Sequence, residues 1–173
     1  MYRKILHATS TVGTVVQESQ RELVPLSVEE EAFVRAFGRA LLTVPRALDA
    51  DLLREQRMSG NEYNALMHLS EAPGRRLRMS DLAAASTLSL SGMTRIMNRL
   101  EALGLVQRER CASDGRGLEA VLTDAGLQRL RQAWPTHLNS VRRHILDHLN
   151  AVHLPAVTTA LEHFAAGAQC DPE

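Results

Sequence analysis

The chain has 173 residues, 45% of them hydrophobic and only 3% aromatic, and its formal charges cancel. That length admits one ordinary domain with a short appended arm, and the apolar fraction excludes a disordered polymer. The core must therefore be aliphatic, and its commonest residues, Leu and Ala, favour helix. Cys111 and Cys170 are too few and too far apart for a disulfide framework or a zinc site. No apolar run is long enough to span a bilayer and no signal-peptide core opens the chain, so a reducing cytoplasm is the expected setting.

Residues 1–26 read as an arm closed by Pro25. Ser27 and the acids Glu29, Glu30 and Glu31 then mark a helix start. Phe33, Phe37, Leu41, Val44, Leu48 and Leu52 follow at helical spacing, with Pro45 expected to kink the helix. Such a helix, over 27–57, is roughly 39 Å long, more than a small lobe needs for its own core. Ser59 and Glu62 have the spacing of a capping box for a second helix, which stops at Pro73-Gly74. Ser80 is the expected start of a short third helix over 81–86, and a fourth runs from about Gly92 to Leu103, ended by Gly104. Residues 105–110 and 118–122 alternate as strands around a turn-rich tip. Thr123 caps a further helix that Pro135 is expected to interrupt and that Leu138, Val141, Ile145 and Leu149 continue. Pro155 opens the last helix, which ends near Gly167. The fold class is mainly α with a small two- or three-stranded β-wing. Its parts are the arm, the helix over 27–57, a winged lobe over 58–123, C-terminal helices over 124–168 and a tail over 169–173.

Charge is unevenly spread. Residues 75–116 hold 8 Arg and 4 acids, a local excess of +4, whereas the segments before and after are each −2. A phosphate backbone responds to local charge and not to the total.

The informative stretch is RLRMSDLAAASTLSLSGMTRIMNRLEALGLVQRERCASDGRGLEAVLT, from Arg76 to Thr123. A short helix, a tight turn, a second helix and a hairpin in that order are the layout of a winged helix-turn-helix. On the second helix Met93, Ile96, Met97, Leu100 and Leu103 are assigned to the buried face. Ser91, Thr94, Arg95, Asn98 and Arg99 are left outside, with Ser89 in the turn ahead of them. Arg suits guanine, Asn suits adenine, and short hydroxyls bond base edges or phosphates. Gly92 admits close backbone approach to a phosphate at the helix N-terminus.

GMTRIMNRLEALGLVQRE and SDGRGLEAVLTDAG carry a resemblance to the MarR family of bacterial regulators that extends from about Val28 to Ala166. The resemblance implies that the helix from Ser91 to Leu103 enters the major groove of double-stranded DNA. It also implies that Arg116 reaches the neighbouring minor groove while Asp114 helps fix the wing. Gly115 departs from the family pattern, where a second basic residue is common. The long terminal helices are implied to interlock in a homodimer, placing two recognition helices about one DNA turn, roughly 34 Å, apart on a pseudo-palindromic operator.

Many such regulators release DNA on binding a small aromatic acid, and the implied pocket residues are Arg46, Asn64, His68 and Trp134. Ordinary packing and surface polarity are the alternative for these four. Urate-sensing relatives carry an acid where Asn64 stands; an amide lacks that charge, which argues against urate. Cys111 reads as a passive strand residue. His144 and His148, four apart, lack a complete ligand set, so no metal and no cofactor is expected. No phosphate loop, nucleophile elbow or His-Glu metal motif points to an enzyme. The function expected is a DNA-binding transcriptional repressor. The other class in play is a winged-helix interaction or ligand-sensing module that has lost DNA, hinted at by the zero net charge and Gly115.

Overall fold

A computed structural model describes residues 24–110 and 117–167. The chain divides into two compact units, Met1–Phe37 and Gly38–Glu173. In the first, the Ser27 N–H donates to Glu30 Oε2 at 2.7 Å and the Glu30 N–H donates to Ser27 Oγ at 3.1 Å. This reciprocal cap satisfies two amides at the start of helix α1, Val28–Gln56. Phe33 and Phe37, one turn apart, stack with ring centroids 5.8 Å apart. Pro45 lies on an exposed face and α1 continues through it.

The second unit holds a helical lobe around a small sheet. Helix α2 (Gly60–Glu71) starts at the capping box of Ser59 and Glu62 and is followed by a single 3-10 turn at Pro73–Arg75. Strand β1 (Arg76–Arg78) leads directly into α3 (Met79–Ala85), and α4 (Leu90–Ala102) follows after a short turn. Strands β2 (Val106–Arg110) and β3 (Leu118–Leu122) then precede α5 (Asp124–His144), a 3-10 turn at Leu146–His148 and α6 (Leu154–Gly167). The three strands form an antiparallel sheet in the order β1-β3-β2. Val106 faces Leu122 in the wing, and Leu77 faces Ala120 on the other edge of β3.

One continuous core joins these elements. Leu52 of α1, Tyr63, Leu66 and Leu69 of α2, Leu82 of α3, Met93, Met97 and Leu100 of α4, Val106 of β2 and Leu122 of β3 are all buried. Gly126, in the first turn of α5, shows how close the layers come. A Cβ built there meets the Leu105 carbonyl oxygen at 2.0 Å and Leu122 Cδ1 at 2.6 Å. Only a residue without a side chain lets α5 dock on the start of the wing.

Several local expectations are corrected. Strand β1 is too short to show alternation, and it exists because the outer edge of β3 accepts it as a partner. Ser80 is not a cap: α3 starts at Met79 behind Arg78, without a side-chain cap, and the Ser80 hydroxyl bonds Asp81 at 3.1 Å. Pro135 does not interrupt α5: it is exposed, as is Arg131, the residue whose carbonyl loses its helical donor. The stripe does not continue to Leu149 in one helix. Ile145 is the C-cap of α5, at φ −131° and ψ −66°, and Leu149 lies beyond the 3-10 turn. No helix among the described residues is long and apolar enough to cross a membrane.

Candidate nucleic-acid interface

The turn between α3 and α4 is built by backbone bonds. The Ser86, Thr87 and Leu88 amides donate to Leu82, Ala84 and Ala83 at 3.1, 3.0 and 2.9 Å, and Thr87 takes φ +54°. Ser89 then caps α4, its Oγ accepting from the Gly92 N–H at 3.1 Å. At the other end the Gly104 N–H donates to Glu101 and the Leu105 N–H to Leu100, both at 2.9 Å, with Gly104 at φ +69°. These paired bonds close the helix as a Schellman motif.

Met93, Met97 and Leu100 turn inward and Ile96 is half-buried, but Leu103, expected inside, is 61% exposed. It is the C-cap residue, where the chain leaves the helical repeat that its spacing assumed. Ser89, Ser91, Arg95, Asn98 and Arg99 are exposed, whereas Gly92 and Thr94 are half-buried. Thr94 is largely committed, since its hydroxyl donates to the Leu90 carbonyl at 2.8 Å. The Ser89 and Ser91 hydroxyls lie 3.1 Å apart. Gly92 fits closely under its cap, with a built Cβ 3.2 Å from Ser89 Oγ. Arg99 is tethered, its Nε lying 2.9 Å from Glu62 Oε1. The Arg95 side chain makes no ion pair with the described residues. Asp114, Arg116, Gly115 and Cys111 lie outside the described residues, as do Cys170 and the arm up to residue 23.

A family model described as the MarR family matches residues 58–117, from just before the cap of α2 to the residue before β3. Among the solved structures that resemble this chain are two over 86% of its length. One is Sco3205, a MarR family transcriptional regulator from Streptomyces coelicolor crystallised in complex with DNA. It is 35% identical, with a TM-score of 0.80 over 86% of this chain and 93% of that one. The other is AbsC, also a MarR family transcriptional regulator from Streptomyces coelicolor, 37% identical with a TM-score of 0.79 over 86% of this chain and all of that one. The chain belongs to the MarR family of transcriptional regulators. The HTH-type transcriptional regulator PecS of Dickeya dadantii (strain 3937) is 27% identical over 133 residues, 76% of this chain and 79% of PecS. These relatives are regulators and not enzymes.

This MarR regulator has a cleft of about 380 Å³ between α1, α2 and α5, lined by Arg46, Leu48, Asp49, Tyr63, Asn64 and His137 among others. Of the four pocket residues expected from sequence, Arg46 and Asn64 line it. His68 and Trp134 do not: His68 lies one turn further along α2, and Trp134 is half-exposed on α5. The missed residues are Tyr63 and His137, whose rings stack with centroids 4.4 Å apart. Burial pushes the Tyr63 hydroxyl up to about 12, with the Glu71 charge adding to it. Burial likewise lowers the His137 pKa and favours the neutral ring. Tyr63 Oη and His137 Nδ1 are buried without a hydrogen-bond partner among the described residues. Asp49 is occupied, accepting from the Gly60 N–H at 2.7 Å.

A second cluster was not expected. Asp51 of α1, 5% exposed, receives the Ser140 hydroxyl at 2.6 Å, Arg143 at 2.5 Å and Arg54 at 2.7 Å, with His144 Nε2 at 3.0 Å. The Ser140 hydrogen bond, helped by Arg54, His144 and Arg143, outweighs burial and holds this carboxyl well below the usual carboxylate range. His144 is therefore engaged with α1. His148 lies past the end of α5, in the 3-10 turn, and so is not one helical turn from His144.

Proposed function

We propose that this regulator is a homodimeric repressor that reads a pseudo-palindromic operator with α4 and is released by a small aromatic acid. The observation that carries the reading is the outward stripe of Ser91, Arg95 and Asn98 on a helix capped by Ser89, in a lobe that superposes on a relative crystallised with DNA. Arg95 is exposed and makes no ion pair among the described residues, which suits bidentate contact with guanine. Asn98 suits adenine, and the hydroxyls of Ser89 and Ser91, with Thr94 behind them and the backbone at Gly92, suit phosphate or base edges at the helix N-terminus. Asp114 and Arg116 of the wing complete the set, Arg116 in the minor groove.

The dimer is supported by apolar surface. Leu41 and Leu42 of α1 are 58% and 61% exposed, and α6 buries none of its fourteen residues although Leu154 and Leu161 are among them. Such surface marks an association face. The effector is supported by the cleft: Arg46 in its lining matches a carboxylate, and the stacked rings of Tyr63 and His137 match an aromatic ring.

Selection of bound duplexes from a random pool, followed by titration at several salt concentrations, tests this. The protein should enrich a two-fold symmetric site, with binding that falls steeply as salt rises. Arg95→Ala should relax base preference at one position per half-site and weaken binding by about 10- to 100-fold. Arg116→Ala should weaken all sequences more evenly. Hydroxybenzoate should release the wild-type complex at lower concentration than it releases Arg46→Ala. No enrichment of any duplex would refute the reading.

A further inference from the structure

Helix α4 is held on both flanks by arginine–carboxylate pairs. On a helix advancing about 100° per residue, Ser91, Arg95, Asn98 and Ala102 cluster opposite the buried Met93, Met97 and Leu100. Arg99 falls about 70° to one side of that outward stripe. There its Nε meets Glu62 Oε1 at 2.9 Å, in an ion pair that lacks hydrogen-bond alignment.

Glu62 has a divided task. Its Oε2 serves the capping box of α2, accepting from the Ser59 N–H at 2.8 Å and from the Ser59 hydroxyl at 3.0 Å. Its Oε1 is buried and has no hydrogen-bond partner among the described residues. A buried carboxylate without a countercharge is costly, and Arg99 supplies that countercharge while its own side chain stays 61% exposed. On the opposite flank the Glu101 carboxylate accepts from the Arg108 backbone N–H at 3.1 Å and from Arg108 Nε at 3.0 Å. That arginine holds the Glu101 carboxyl below its ordinary pKa. The helix is thus tied to α2 on one side and to β2 on the other.

We propose that Glu62 and Arg99 form a brace that sets the rotation of α4 about its own axis, and that Arg99 is a positioning residue touching neither base nor phosphate. This rests on the reading that α4 enters the groove. Periodicity placed Arg99 among the readers because it reveals which side of a helix is polar. It cannot reveal that a carboxylate from another helix has already claimed the guanidinium.

The test uses the full chain and the duplex that the wild type selects. Glu62→Gln retains the capping-box acceptor and removes only the charge. Glu62→Gln and Arg99→Ala should each weaken binding by about fivefold, and the double variant should be no weaker than either alone. The order of base preferences and the slope of log affinity against log salt should stay as in the wild type. The loss should persist at low temperature, where circular dichroism shows every variant folded, and Arg99→Lys should recover much of it. The brace is overturned if Arg99→Ala flattens preference at one base, if it lowers the salt slope by about one unit, if Glu62→Gln binds as well as the wild type, or if the loss vanishes on cooling. If Arg95→Ala also binds like the wild type, the groove reading itself falls and takes the brace with it. An Arg95→Ala defect accompanied by a base-specific Arg99→Ala defect removes the brace alone.

Discussion

At residue scale the contacts that matter most are made by groups whose neighbours come from distant sequence. Gly126 belongs to the stretch that closes the wing, yet its requirement comes from the Leu105 carbonyl 2.0 Å from a built Cβ. Backbone cannot step aside as a flexible side chain can. Gly126→Ala should therefore cost about 2–3 kcal/mol, read as a lower Tm by circular dichroism. A Tm within a degree of the wild type would show that α5 can shift without penalty. Asp51 offers a test with a definite sign. Its folded pKa is depressed, so its contribution is present above the unfolded value of about 3.9 and fades as pH falls below it. At pH 7 Asp51→Asn should be less stable than the wild type by about 1–2 kcal/mol, since it removes an ionised acceptor that Ser140 and Arg143 address. In denaturant titrations carried down to pH 3 that gap should narrow. A gap constant across the range would mean that the charge is immaterial.

At the scale of elements, most helix ends were legible because their signals are local. The Ser59–Glu62 box, the Thr123 cap, Gly104 past the end of α4 and strand 118–122 all need only a few adjacent residues. Ser80 misled because a serine before an apolar run is a cap only if the backbone enters from the right direction, and here β1 feeds straight into α3. The turn before α4 was recognised as a turn, but its strain was not. Thr87, β-branched, sits at φ +54°, a conformation that glycine adopts without steric cost. Thr87→Gly should raise stability by about 0.5–1 kcal/mol, the relief of strain exceeding the added freedom of the unfolded chain. Chemical denaturation decides it, and a midpoint moving to lower denaturant would contradict the strain.

At the scale of the whole molecule the charge argument changes character. The excess of +4 over residues 75–116 is a property of the linear chain. Folding brings Asp124 to Arg75 at 2.8 Å, Glu119 to Arg76 at 3.4 Å and Glu62 to Arg99 at 2.9 Å, all carboxylates from outside that window. Attraction for phosphate then rests on fewer arginines than the count suggested, with Arg95 central among those described. The exposed leucines of α1 and α6 belong to this scale too. If the proposed homodimer closes through these faces, Leu42→Glu with Leu161→Glu should give a monomer in sedimentation and abolish tight operator binding, because each half-site alone holds weakly. Unaltered sedimentation would mean that these faces are not the interface.

The sequence alone determined the family, the order of α1 to α4 and of the two wing strands, the polarity of α4 and its closing glycine, because each is written in neighbours within about one or two helical turns. Only the tertiary structure decided which polar groups are already spoken for: Arg99 by Glu62, Glu101 by Arg108, and Asp51 by Ser140, Arg143 and His144. It likewise decided that Tyr63 and His137, and not His68 and Trp134, meet in the cleft wall. The physical reason is that hydrophobic periodicity reports the direction a side chain leaves its helix, whereas an ion pair or a ring stack depends on where a second element packs, and that is fixed only when the core closes.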